Sequence, residues 1–162
     1  PPEVGTVGRT SPQSSEGFTD GRLIRDGFHC DSTGREGQSF VRKTNLVTGK
    51  TLQSVALTPG VFGEGIVDWQ DQLFSIIWHG GVGTRWSLKS FRKLGTFRYT
   101  GEGWSMTQDG RNIILSDGTP VLRFLDPVSL KVVRTLTVTA AGQPVRRINE
   151  LEFFRGEILA NI

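Results

Sequence analysis

Only one cysteine, Cys30, occurs among the 162 residues, so an internal disulfide is excluded and the redox compartment stays undecided. Histidine is scarce too. His29 and His79 stand apart, and no cluster of Cys, His and carboxylate residues has ligand spacing, so no metal and no other cofactor is expected. No stretch approaches the roughly 18 apolar residues of a membrane helix, so no membrane partner is expected. Charge of one sign is nearly balanced: 19 Lys and Arg face 16 Asp and Glu, a net +3 that is too small to argue for nucleic acid. The basic cluster Arg85, Lys89, Arg92, Lys93 and Arg98 reads as a solvated face. Pro1 to Phe18 lacks a basic region followed by an apolar one, so no signal peptide is expected in the chain as it stands. Nor does any 3.6-residue apolar period survive over about 11 residues, which leaves no credible helix.

What is abundant is glycine, 21 residues, as a turn-rich all-β protein needs. Three segments repeat one pattern of strand, tight polar turn and second apolar strand. They are Gly65–Trp69 with Gln72–Trp78, Gly103–Thr107 with Arg111–Ser116, and Glu150–Phe154 with Glu157–Ile162. Each is entered by a small glutamate motif: Gly63-Glu64-Gly65, Gly101-Glu102-Gly103 and Asn149-Glu150-Leu151-Glu152. A second hairpin recurs as well, in Phe40–Asn45 with Thr51–Leu57, Arg85–Ser87 with Lys93–Tyr99, and Val121–Leu125 with Lys131–Val138. Joined, the halves make four-stranded units that start at Phe18, Phe62, Gly101 and Asn149, roughly 40–50 residues apart, the spacing of propeller blades.

The expected fold is therefore an all-β propeller of four-stranded antiparallel blades, weighed against an ordinary β-sandwich with accidental similarity. One domain, 1–162, is expected, with blades at about 18–58, 62–99, 101–138 and a partial one at 149–162. Val4–Val7 reads as a strand of a further blade. An open blade face and edge are costly in water, so the chain is expected to be the N-terminal two-thirds of a longer protein, with self-association through the open edge as an alternative.

Several motifs then carry a resemblance. Phe18-Thr19-Asp20-Gly21, Asp31-Ser32-Thr33-Gly34 with Gly37-Gln38-Ser39, Phe62-Gly63-Glu64-Gly65 and Trp78 come first in the chain. Gly101-Glu102-Gly103-Trp104, Ser116-Asp117-Gly118, Leu125-Asp126-Pro127 and Asn149-Glu150-Leu151-Glu152 with Ala160-Asn161 follow in order. Together they resemble the plant and bacterial type of glutaminyl cyclase (glutamine cyclotransferase), from about Phe18 to the last residue. The resemblance implies a five-bladed propeller that turns the N-terminal glutamine of peptides or proteins into pyroglutamate and releases ammonia without a metal. It also implies a secreted or periplasmic setting.

The chemistry explains the residue types. The α-amine attacks the γ-carboxamide of its own residue, so the enzyme must hold a folded-back conformer. One carboxylate placed between amine and leaving ammonia can serve as base and then acid. By resemblance Glu64 is that proton shuttle; its plain alternative is a cap on a Gly-x-Gly turn. Trp104 would donate its indole N–H to the substrate and Asn149 would bond the substrate amide. Phe18, Asp20, Phe62 and Trp78 would bind substrate, with core packing the alternative for Phe62. Glu102, Glu150 and Glu152 read as structural, bonding backbone amides near the axis, and Trp69 and Trp86 as packing or surface residues.

There are departures. The family has Gln where Asp20 stands, and an Asp favours the protonated amine, the wrong form for attack. Ser105 stands where glycine is common, and Thr84-Arg85-Trp86 replaces an apolar strand start. A further Trp just beyond Ile162 and a lysine of the last blade belong to the family pattern and not to this sequence. The chain alone is therefore expected to have little or no cyclase activity. The other functional readings are a non-catalytic propeller that binds peptides or protein partners at the same face, and an inactive fragment of the enzyme.

Overall fold

The computed structural model describes residues 19–34 and 39–162. Phe18, the Val4–Val7 strand and the Gly37-Gln38 pair lie outside the described residues. The described chain is all β, with no helix. Strands β1 (Thr19–Arg25), β2 (Phe28–Thr33), β3 (Phe40–Asn45) and β4 (Thr51–Ala56) form one antiparallel sheet in chain order. A second sheet holds β5 (Gly63–Trp69), β6 (Gln72–Ile77), β7 (Val82–Ser87) and β8 (Lys93–Arg98). A third holds β9 (Ser105–Gln108), β10 (Ile113–Ser116), β11 (Val121–Leu125) and β12 (Val132–Thr137). Two ribbons follow: β13 (Thr139–Ala140) with β14 (Gln143–Pro144), and β15 (Leu151–Phe154) with β16 (Glu157–Ala160). The all-β, propeller-type architecture expected from the repeats is the one observed. The sheets follow one another in an arc and do not close into a ring.

Local chemistry sets the hairpins. Asp26-Gly27 and Arg155-Gly156 both have positive φ at each residue (49° and 78°, 51° and 86°), as a two-residue type I′ turn requires. The outer hairpins repeat a different device three times. Gly49 N–H donates to Asn45 O at 2.9 Å, Phe91 N–H to Ser87 O at 2.8 Å, and Leu130 N–H to Asp126 O at 2.8 Å. Gly49, Phe91 and Leu130 all sit at positive φ in this turn. The side chains of Asn45, Ser87 and Asp126 each accept from a backbone N–H inside it. Three residue types thus do one job, because each is a short acceptor that bonds its own turn.

Each core lies between neighbouring sheets. Cys30 and Val41 of the first sheet meet Ile66, Leu73 and Trp86 of the second. Val67, Phe74 and Ile76 meet Met106, Ile113, Leu115 and Leu125 of the third. Ile114, Leu122 and Phe124 meet Ile148 and Leu151. Adjacent residues such as Leu73 and Phe74 serve opposite cores because successive side chains on a strand point to opposite faces. Burying each such side chain fully stabilises by about 1.5–3 kcal/mol. Trp86, expected to pack or lie on the surface, is buried, and its indole N–H donates to Ser75 Oγ at 2.9 Å.

The inner strands β1, β5, β9 and β15 approach one another at the hub. Glycine permits this. A Cβ on Gly21 would lie 2.7 Å from the Glu64 carbonyl oxygen, and one on Gly65 would lie 2.6 Å from Met106 N. Side chains tie β15 to β9: Leu151 N–H donates to Ser105 Oγ at 3.0 Å and Phe153 N–H to Thr107 Oγ1 at 3.1 Å. Between these strands lies a cavity of about 310 Å³, lined by Arg22, Asp68, Gln108, Glu150 and Glu152 among others. At the other end of the arc β12 is exposed along its whole length, beside a cavity of about 870 Å³ that it shares with β16.

Two differences from the sequence reading are local. β9 begins at Ser105, not Gly103, because Gly103 and Trp104 spend their N–H groups on Trp78 O and Ser116 O, in a crossing to the second sheet and a local closure. The β13–β14 ribbon was not anticipated; its two-residue strands carry no period that a sequence can show.

Candidate active site

Two irregularities in the inner strands create the site. The pairing of β5 with β6 shifts register between Gly63 and Ile66, and that of β1 with β2 shifts between Thr19 and Gly21. Glu64 and Asp20 stand at these bulges. A bulge breaks the strict alternation of faces and re-aims a side chain.

Burial comes first in pushing the Glu64 carboxyl up, to about 8, and the carboxylates of Asp20, Glu150 and Glu102 push the same way. Glu150 is raised to about 7, chiefly by burial, then by Asp20, with its bond to the Ser105 side chain opposing. Burial also raises Asp20, against the pull of Gly34 N–H, which donates to Asp20 Oδ2 at 2.7 Å. Carboxyls gathered in a partly dry space resist ionising together. Glu64 is thus held well above the usual carboxylate range.

Aromatic rings wall this space. Phe62 meets Trp78 edge to face, with ring centroids 6.0 Å apart, and packs so closely over Gly34 that a Cβ there would lie 1.9 Å from its ring. Trp78 also stacks on His79 at 4.1 Å. The Trp104 ring lies over Gly118, where a Cβ would come within 2.6 Å of it. The two indoles converge from different sheets on one acceptor: Trp78 Nε1 donates to Glu102 Oε2 at 2.9 Å and Trp104 Nε1 to the same oxygen at 2.6 Å. These two bonds, Trp104's first, hold the Glu102 carboxyl below the usual carboxylate range. Its reading as a bond to backbone amides is therefore corrected: its carboxylate serves side chains.

Asn149 sits at the entry to β15, and its backbone is fastened on both sides. Its carbonyl accepts from Ser116 Oγ at 2.9 Å, and its N–H donates to Asn161 O at 3.1 Å. Glu64 feels Asp20, Glu102 and Glu150; Glu102 in turn holds Trp78 and Trp104, and Trp78 meets Phe62.

Sequence reasoning missed Tyr99 and the raised carboxyl of Glu150. Tyr99 OH donates to Ile77 O at 2.5 Å and accepts from Ile77 N–H at 3.2 Å, and burial pushes the phenol up to about 12. Its signal was available: it is the one tyrosine of the chain and stands two residues before the second Gly-Glu-Gly copy.

A propeller-type arc of four-stranded sheets, with a raised carboxyl at a bulge of an inner strand, defines the class of fold. The family model described as glutamine cyclotransferase matches residues 3–162. The chain belongs to the glutamine cyclotransferase family. It is 34% identical over 153 residues to the glutaminyl-peptide cyclotransferase of Arabidopsis thaliana, a match that covers 93% of this chain and 48% of that protein. The crystal structure of Myxococcus xanthus glutaminyl cyclase superposes with a TM-score of 0.85 at 32% identity, over 94% of this chain and 64% of that one. The WD40 domain of Neurospora crassa Pan2, at 9% identity, superposes with a TM-score of 0.66 over 88% of this chain and 46% of its own, a likeness of fold alone. The chain spans about half the length of the curated relative it matches.

Proposed function

We propose that this chain carries the acid–base centre of a glutaminyl-peptide cyclotransferase acting on peptides or proteins that begin with glutamine. The α-amine nitrogen bonds to the γ-carboxamide carbon, the bond to the amide nitrogen breaks, and ammonia leaves. Glu64 takes the proton that the amine loses and returns it to the departing nitrogen, so it ends as it began. Phe62, Trp78 and Trp104 wall the folded-back glutamine and keep water out; Asp20 and, on the family resemblance alone, Phe18 bind the substrate. Asn149 donates to the carboxamide oxygen as it gains charge.

One observation carries this reading. Glu64 stands at the β5 bulge, half-buried among carboxyls, and is raised to about 8. A shuttle works best when its pKa is near the working pH. The plain alternative, a turn cap, needs no such environment.

A second reading rests on Glu102, which already occupies both indole donors. It makes the same face a peptide-binding surface without turnover. The test is to mix the purified chain with a Gln-initiated peptide, follow ammonia and pyroglutamyl product, and measure binding by quenching of tryptophan emission. The wild-type chain is expected to bind and to release ammonia slowly, as the departures from the family pattern imply. Glu64→Gln is expected to keep binding while release falls to the uncatalysed rate. Binding with no release in either form selects the second reading or the inactive fragment over turnover by this chain. Equal release from both removes Glu64 from the chemistry, and absence of binding removes both readings.

A further inference from the structure

We infer that Glu102 is a positioning residue that fixes the orientation of both pocket indoles, so that a bound peptide meets their ring faces and not their N–H groups. The inference rests on the cyclotransferase reading for what the pocket binds, and on geometry alone for the clamp.

An indole N–H donates and cannot accept, so its direction is set by whatever acceptor it finds. Packing does not fix Trp78 by itself, since the residue is 40% exposed and touches Phe62 only edge to face. Its N–H nevertheless ends 2.9 Å from Glu102 Oε2, with the Trp104 N–H 2.6 Å from that atom. Trp78 follows β6 in the second sheet and Trp104 precedes β9 in the third, so one oxygen joins two sheets. Hydrogen bonds to an ionised acceptor are about twice as strong as neutral ones.

The clamp is itself held. Gly103 N–H donates to Trp78 O at 3.1 Å, which anchors the loop to the tryptophan it serves. Arg123 bonds the carbonyls of Thr100 and Glu102 and reaches Asp117 Oδ2 at 2.8 Å, so the loop backbone is pinned from below. Glu102 Oε1 lies 3.7 Å from His79 Nδ1, and His79 stacks on Trp78. Carboxylate, imidazole and two indoles form one connected unit at the mouth of the site. With both N–H groups engaged, what remains toward the pocket is the π-face of each ring. Such faces pack against the glutamine side-chain methylenes and attract a cationic α-ammonium.

The test uses the full chain with uniform nitrogen-15 labelling and a Gln-initiated peptide. In Glu102→Ala the Nε1–H resonances of Trp78 and Trp104 are expected to move upfield together. Those of Trp69 and Trp86 are expected to stay, since Trp86 bonds Ser75. Peptide Kd by calorimetry is expected to weaken about tenfold, with Glu102→Gln, which keeps an acceptor oxygen without the charge, lying between. Resonances that do not move overturn the clamp. Resonances that move while Kd is unchanged overturn its part in binding. A wild-type chain that binds no such peptide removes the cyclotransferase reading and the substrate half of this inference together, while the resonances still decide the clamp.

Discussion

The second sheet opens with, and the third is preceded by, the same tripeptide, Gly63-Glu64-Gly65 and Gly101-Glu102-Gly103, and the two glutamates behave in opposite ways. Glu64 is inside β5 at a bulge, surrounded by carboxyls, and is raised to about 8. Glu102 is in the segment before β9, receives two indole N–H groups, and is lowered. Identical neighbours in sequence give no hint of this. The difference comes first from burial, which raises Glu64 far more than Glu102, and then from what faces each carboxyl: acids for one, donors for the other. A repeated motif therefore supplies a backbone shape, and the positions between repeats decide its chemistry.

The sharpest way to break the comparison is through the second glycine of each copy. A Cβ at Gly65 would meet backbone, Met106 N and Ser105 Cα at 2.6 Å, which cannot yield without moving β9. A Cβ at Gly103 would meet the ends of side chains, Tyr99 Oη at 2.9 Å and Ile76 Cδ1 at 3.0 Å. Gly65→Ala is expected to cost about 3 kcal/mol and Gly103→Ala about 1 kcal/mol, read as urea midpoints at constant slope. Equal costs would mean that the inner strands separate more readily than their contacts imply.

Next in size is the support of the second copy. Tyr99→Phe removes a hydroxyl that bonds both the carbonyl and the N–H of Ile77, leaving those groups short of a partner. A loss of about 1–2 kcal/mol is expected by the same measurement. A neutral result would show that water replaces the phenol.

The comparison is sharpened further by the slope of stability with pH. Glu64 has an ordinary value of 4.5 and a folded value of about 8, so between these the folded state keeps a proton that the unfolded state has lost. Stability must then fall as pH rises through that window. Glu64→Gln is expected to flatten the slope without abolishing it, because Glu150, raised to about 7, acts in the same direction. Glu102 runs the other way. Its contribution is present above the ordinary 4.5 and is lost as pH falls through its lowered folded value, so Glu102→Gln is expected to alter only the acid limb. Thermal unfolding from about pH 2 to 9 separates the two.

Much of the fold was legible because its signals are local. The strand–turn–strand repeat and the turn chemistry at Arg155-Gly156 need only a few consecutive residues to be read. Glu64 stood out by its motif. The electrostatic setting did not, since Asp20 raises Glu150 from 130 positions away in the chain and Trp78 reaches Glu102 from 24. Such pairings exist only once the sheets have been stacked, and no periodicity encodes which side chains of neighbouring sheets will share a space.

The division of Leu73 and Phe74, or of Ile113 and Ile114, between opposite cores has a mechanical meaning. Each middle sheet is a partition with load on both sides. Loosening one joint leaves the adjoining one intact at first, then deprives it of its stiff backing. Melting should thus advance stepwise around the arc from the feeblest seam, as in other stacked arrays where every module leans only on its neighbours.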